Sequence, residues 1–147
     1  EDRVYLTAEM MRAHHCGPDQ DGTLDIADEG DHYAIRMDPC GSGGRMRRGD
    51  PVDGTPSRQG SPYNFGATKE ARVWSWGQAG VPYYCVHCVM NEVLPMEWGE
   101  HPLWVTDYEA DPQKPCTWKF YKRAEDIPTE YYTRVGRTKP APGEGKY

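Results

Sequence analysis

Glycine and proline punctuate this chain so densely that long regular elements have little room to form. Sixteen glycines and thirteen prolines fall among 147 residues, and only 37% of positions are hydrophobic. A chain of this length is expected to form one domain with a real core. That core must draw on aromatic residues, because ten tyrosines and five tryptophans supply much of the apolar surface. Each wants a polar partner for its OH or NH when buried.

The expected fold class is α+β: two β-hairpins with short helices and long Gly/Pro-rich loops, pinned by a single Cys/His metal site. Residues 7–15 read as a helix with Thr7 as N-cap, stopped at Gly17-Pro18. Residues 23–28 and 32–37 alternate apolar and polar about Glu29-Gly30-Asp31, the pattern of a hairpin. From 45 to 72 the pattern dissolves, and a loop of that length in a compact domain is a lid or an excursion. A short strand is expected at 73–76. A helical period then starts at Cys85, with Val86, Val89, Met90, Val93 and Leu94 on one side until Pro95 disturbs it. Residues 102–108 and 116–122 form a second hairpin, with Cys116, Trp118 and Phe120 on one face. A last short helix is expected over 128–135, closed by Gly136. The domain is therefore read as residues 1–136, and 137–147 as a disordered tail.

Five cysteines cannot all pair within one chain, and their clustering with histidine suits a metal better than a disulfide framework. That points to a reducing, cytoplasmic setting. Cys85 and Cys88 have the Cys-x2-Cys spacing that lets one turn give zinc two of its four ligands. Cys40 opens the run Gly41-Ser42-Gly43-Gly44, where backbone amides can fold toward a thiolate with no Cβ in the way. The fourth ligand is sought among His14, His15 and Cys16, with Cys16 first because it lies at the turn and His15 second. Zinc is the expected cofactor, and an iron–sulfur cluster on Cys16, Cys40, Cys85 and Cys88 is the alternative. Cys116 lies inside a strand pattern and reads as core packing.

The principal functional reading is a structural zinc domain, with an aromatic-lined small-ligand pocket beside the ion. Its rival is a zinc-dependent hydrolase or lyase, in which three protein ligands leave a place for water. Glu92 follows Cys88 by four residues, on the same helical face, and would act as general base, with His87 or His101 moving protons. Replacing Glu92 with Gln is expected to leave folding intact on either reading. Zinc nucleobase deaminases pair His-x-Glu with Pro-Cys-x-x-Cys, and no His-x-Glu occurs here. The Cys85-Val86-His87-Cys88 run resembles the active site of some thioredoxin-like oxidoreductases, which implies a reactive Cys85 and thiol redox chemistry. A Gly/Pro loop stands where that family has a strand–helix–strand run. A protein-interaction module with exposed aromatics is a further alternative.

Arg45, Arg47 and Arg48 flank the glycine run, which lacks the Gly-Lys-Ser/Thr of a phosphate loop. A solvated loop is the default reading, and the sharper one makes Arg45 or Arg47 the bidentate anchor of a small carboxylate ligand near the metal. Trp76 and Tyr84 would line a cleft for an aromatic one. Asp19-Gln20-Asp21-Gly22 invites a calcium loop, but Gly17 falls where its first carboxylate is required, and turn chemistry explains the run. A net charge of −6 disfavours non-specific binding to nucleic acid or anionic membranes. No stretch approaches the roughly 18 apolar residues of a membrane span, and no charged-then-apolar leader is visible. The chain opens on Glu1 rather than Met, which leaves room for a preceding segment.

Overall fold

A computed structural model describes residues 1–17, 20–21, 24–38 and 40–145, without the side chains of 14–17, 20 and 21. The fold is α+β, with one four-stranded antiparallel sheet and short helices. Helix α1 spans Asp2–His15 and is longer than the expected helix at 7–15. Thr7 is not its N-cap: the hydroxyl donates to the Arg3 carbonyl one turn back, at 2.7 Å. Val4 and Ala8 are buried, and Met11 packs beside them, giving the one-sided stripe a docked helix needs. A two-residue ladder follows, β1 (Cys16–Gly17) against β2 (Gln20–Asp21).

Strand β3 (Asp25–Asp28) pairs with β4 (His32–Met37) in the expected hairpin, with Ile26 opposite Ile35. Its turn is relieved at Gly30, whose φ is +94°. The second expected hairpin also forms, β5 (Val105–Asp107) against β6 (Cys116–Tyr121). The two hairpins are not separate, because β4 pairs with β6 along its whole length, and the sheet order is β3-β4-β6-β5. Directly opposed residues share a face. Met37 opposes Cys116, Ile35 opposes Trp118, and Tyr33 opposes Phe120, so these six form one face. Helix α1 covers the Phe120 end of that face through Val4 and Ala8.

The stretch after β4 holds a short helix, α2 (Gly43–Arg48), before the long irregular segment. The strand expected at 73–76 is a 3-10 turn over Val73–Ser75 instead. Its alternating letters mislead because Ser75 is fully buried and its Oγ donates to the Gln78 carbonyl at 2.7 Å, closing a tight turn. Helix α3 spans Val86–Gly99 and continues through Pro95, where the helical period was expected to be disturbed. The proline removes one bond, to the carbonyl four residues back, while buried Val89 and Met96 hold the helix against the second core on either side. Helix α4 (Glu130–Thr133) lies within the expected span, and Gly136 follows at φ +73°.

The second core gathers Trp76, Val81, Val89, Met96, Val105, Tyr131 and Tyr132, so aromatic rings carry the apolar surface that aliphatics do not. Residues 137–145, read as a disordered tail, carry no helix or strand. Contacts nonetheless tie them down: Arg137 pairs with Glu97, Lys139 Nζ donates to the Ile127 carbonyl at 2.7 Å, and the Glu144 carbonyl meets His101 Nε2 at 2.9 Å. No helix among the described residues is long and apolar enough to cross a membrane.

Candidate functional site

Cys88 packs against both cores, and the seam beside it opens into a cavity of about 570 Å³. Four thiols from three distant segments line it: Cys40, Cys85, Cys88 and Cys116. Cys40 lies between β4 and α2, where the glycine run lets the chain fold back, and the Gly44 amide donates to its sulfur at 2.8 Å. Cys85 ends a 3-10 turn over Tyr83–Cys85 and leads into α3, whose first turn carries Cys88. Cys116 opens β6, and its sulfur accepts from the Glu109 amide at 3.3 Å. All four thiols are free.

These sulfurs act on one another. In all six pairings among the four, the charge of one raises the thiol pKa of another. Burial is the larger cause, pushing Cys85 up to about 12 and Cys88 and Cys116 upward as well, while Arg47 pulls Cys85 and Cys116 back. Left to themselves Cys85, Cys88 and Cys116 stay protonated at neutral pH. A cation among them would reverse that.

Gly43 is the close approach that permits the cluster. A Cβ there would fall 2.6 Å from the Cys85 sulfur and 3.8 Å from that of Cys40. His87 stands beside the site, with Nδ1 2.6 Å from the Tyr84 carbonyl and Nε2 3.4 Å from the Cys88 sulfur. A carbonyl can only accept, so the proton sits on Nδ1 and Nε2 offers its lone pair toward Cys88.

Among the described residues, no group of three or more His, Cys, Asp or Glu side chains is arranged to hold a metal ion. The side chains of His14, His15 and Cys16 lie outside the described residues. Cys116, read from the sequence as packing, stands instead in the thiol cluster. Strand alternation had placed it on the Trp118 face, and that face floors the cavity.

Glu92 does not line the cavity. Its carboxylate is fully buried and engaged: Arg134 Nη2 donates to its two oxygens at 3.0 and 2.9 Å, Trp76 Nε1 donates at 3.0 Å, and the Thr106 amide at 2.7 Å. Burial pushes its carboxyl upward, against the pull of Arg134. Glu92, expected as a general base, thus stands in a buried hydrogen-bonded network that joins α3 to β5 and Arg134 rather than on the cavity wall. His101 is also elsewhere, bonded to the Tyr132 hydroxyl at 2.8 Å.

Of the arginines proposed as ligand anchors, Arg45 pairs with Asp50 at 3.8 Å and is not part of the lining. Arg47 is, at 5% exposure. Trp76 lines the cavity and stacks on Tyr108 with centroids 5.3 Å apart, while Tyr84 stands outside it, edge-on to His87. Trp104, Tyr108 and Trp118 complete the aromatic wall with Thr106 between them, and none of the four was expected at a ligand site. Their signal was present in the strand period, because Thr106 opposes Trp118 and its neighbours two positions away share its face. No protein-family model matches this chain, and neither does any curated protein or solved structure.

Proposed function

We propose that the chain is a metal-binding domain whose ligands are Cys40, Cys85, Cys88 and Cys116. The observation that supports this is the convergence of four thiols from three separate segments on one cavity, each within the field of the others. Gathering four cysteines, one buried and three half-buried, on one cavity brings little packing advantage over aliphatic residues, and a shared cation accounts for it. Zinc suits an all-thiolate set and asks for no redox supply. The role is structural: one ion would join the loop before α2, the start of α3 and the start of β6, across a fold poor in aliphatic packing.

Zinc would draw the sulfurs to about 3.8 Å of one another, given bonds of about 2.3 Å in a tetrahedron. No three donors among the described residues stand so arranged, so binding of zinc would have to draw the thiol-bearing segments together. That spread favours a second reading, an iron–sulfur cluster, which accepts thiolates set farther apart. Beyond the thiols, the same cavity has room between its aromatic walls for a small ligand.

Elemental analysis of protein purified without added metal is the test. The expected result is about one zinc per chain, lost from the Cys85→Ser and Cys88→Ser variants. Removing it with a strong chelator should lower the melting temperature by about 10 °C or more, since structural zinc contributes much of the folding free energy where it binds. Brown protein with acid-labile sulfide would favour the cluster. Protein that carries no metal, takes up neither zinc nor a cluster on reconstitution, and melts unchanged with chelator would sink both readings.

A further inference from the structure

Three residues that line the thiol cavity each carry a buried polar atom with no hydrogen-bond partner among the described residues: Arg47 Nε, Trp104 Nε1 and Thr106 Oγ1. Such atoms are rare in a folded protein and costly to leave unpaired. Here all three can donate, and all three belong to residues that line one cavity.

Arg47 is the most telling of them. Its guanidinium is almost fully buried, and no carboxylate pairs with it among the described residues. One end is fixed, with Nη1 donating to the Glu109 carbonyl at 2.7 Å and the Ala110 carbonyl at 3.3 Å. The other edge, Nε with Nη2, meets only the Cys116 sulfur at 3.9 Å. That edge is the side-on fork with which arginine takes a carboxylate by two parallel bonds. A buried cation with no carboxylate counter-charge is expensive, and here Nη1 is held by carbonyls and the Tyr108 hydroxyl while Nε has no acceptor.

The walls specify the rest of the ligand. Trp104 stacks on Trp118 at 5.0 Å, and Trp76 on Tyr108 at 5.3 Å, so planar surfaces border the cavity. Among the described residues, no Asp or Glu is part of the lining. The volume of about 570 Å³ suits one small molecule. We infer that this cavity binds a small aromatic carboxylate, its carboxylate held by the Nε/Nη2 edge of Arg47 with Trp104 Nε1 and Thr106 Oγ1 as further donors, and its ring against the tryptophans. This deepens the small-ligand part of the reading above and does not depend on the metal.

The test is calorimetric titration of the full chain with benzoate and indole-3-acetate, each against its neutral amide. At least one acid should bind, and about tenfold or more tighter than its amide, because the fork is used only by the anion. Trp104→Phe keeps the ring and removes the NH, and Thr106→Val keeps the shape and removes the hydroxyl. Each should weaken the acid by about threefold or more and leave the amide unchanged. Arg47→Lys keeps the charge without the fork, and should lose most of the preference for the acid over its amide.

Failure of both acids to bind would overturn the proposal, as would equal binding of acid and amide. So would unchanged affinity in folded Trp104→Phe and Thr106→Val. Repeating the titration after chelation separates this site from the metal. If acid binding disappears with the metal and ignores both wall substitutions, the carboxylate sits on the ion and the Arg47 site is wrong. If binding persists in protein that never holds metal, this site stands while the metal reading falls.

Discussion

Replacing Glu92 with Gln should cost about 3 kcal/mol of stability and lower the melting temperature by about 10 °C. The wild-type carboxylate is fully buried and joins four parts of the fold. It receives Trp76 from the turn after the long loop, the Thr106 amide from β5, and Arg134 from beyond α4, while itself riding on α3. An amide of the same shape can still accept from Trp76 and Thr106. Its NH2 group, however, would face Arg134 Nη2, so two donors would meet where a salt bridge stood, and the guanidinium would lose its counter-charge. Arg134 keeps 19% exposure and a bond from Nη2 to the Thr106 carbonyl at 2.9 Å. Residual hydration therefore holds the cost near the lower end of the range for a broken buried pair. Metal content should not change, because Glu92 is not a ligand. Removing both charges, Glu92→Gln with Arg134→Gln, should recover part of the loss. A single Gln variant melting within about 1 °C of the wild type would show that this network does not hold the cores together. It would also restore the sequence expectation that position 92 is dispensable for folding.

The surroundings of Glu92 separate what was legible from what was not. Helical spacing correctly set Glu92 four residues after Cys88, on α3. Its partner lies 42 residues further on, and nothing in a local pattern announces such a meeting. The two hairpins were legible because half-buried strands alternate, and Ile26 against Ile35 is the pairing that pattern requires. Their merger through β4 and β6 was not, since alternation is satisfied whichever neighbour a strand takes. Cys40, Cys85 and Cys88 stood out through turn chemistry and spacing. Cys116 did not, because its neighbours spell an ordinary strand, and only the assembled sheet turns that face toward the other thiols. Pro95 misled for a different reason: tertiary packing of Val89 and Met96 outweighs one missing helical bond.

Adding a single methyl group at Gly43 should disable the thiol cluster. The new Cβ would fall 2.6 Å from the Cys85 sulfur, closer than a carbon and a sulfur can approach, and that thiol is buried at 7% exposure. Alanine is otherwise the better helix former at the start of α2, by about 1 kcal/mol, so any destabilisation must come from the collision. Overpacking of this kind costs about 1–3 kcal/mol. Gly43→Ala should therefore lower the melting temperature by about 5 °C and reduce metal content below half, because Cys85 is pushed away from Cys40. Gly60→Ala serves as the control in the same long stretch, where the added carbon lies 3.8 Å from the Ser57 carbonyl in ordinary contact. A double-mutant cycle with Cys85→Ala locates the cause, since removing the sulfur removes what the methyl group strikes. The two changes should couple by about 1–2 kcal/mol, the double variant being no less stable than Cys85→Ala alone. Strict additivity would mean that Gly43 and Cys85 do not touch, and the convergence of Cys40 with Cys85 would lose its geometric basis.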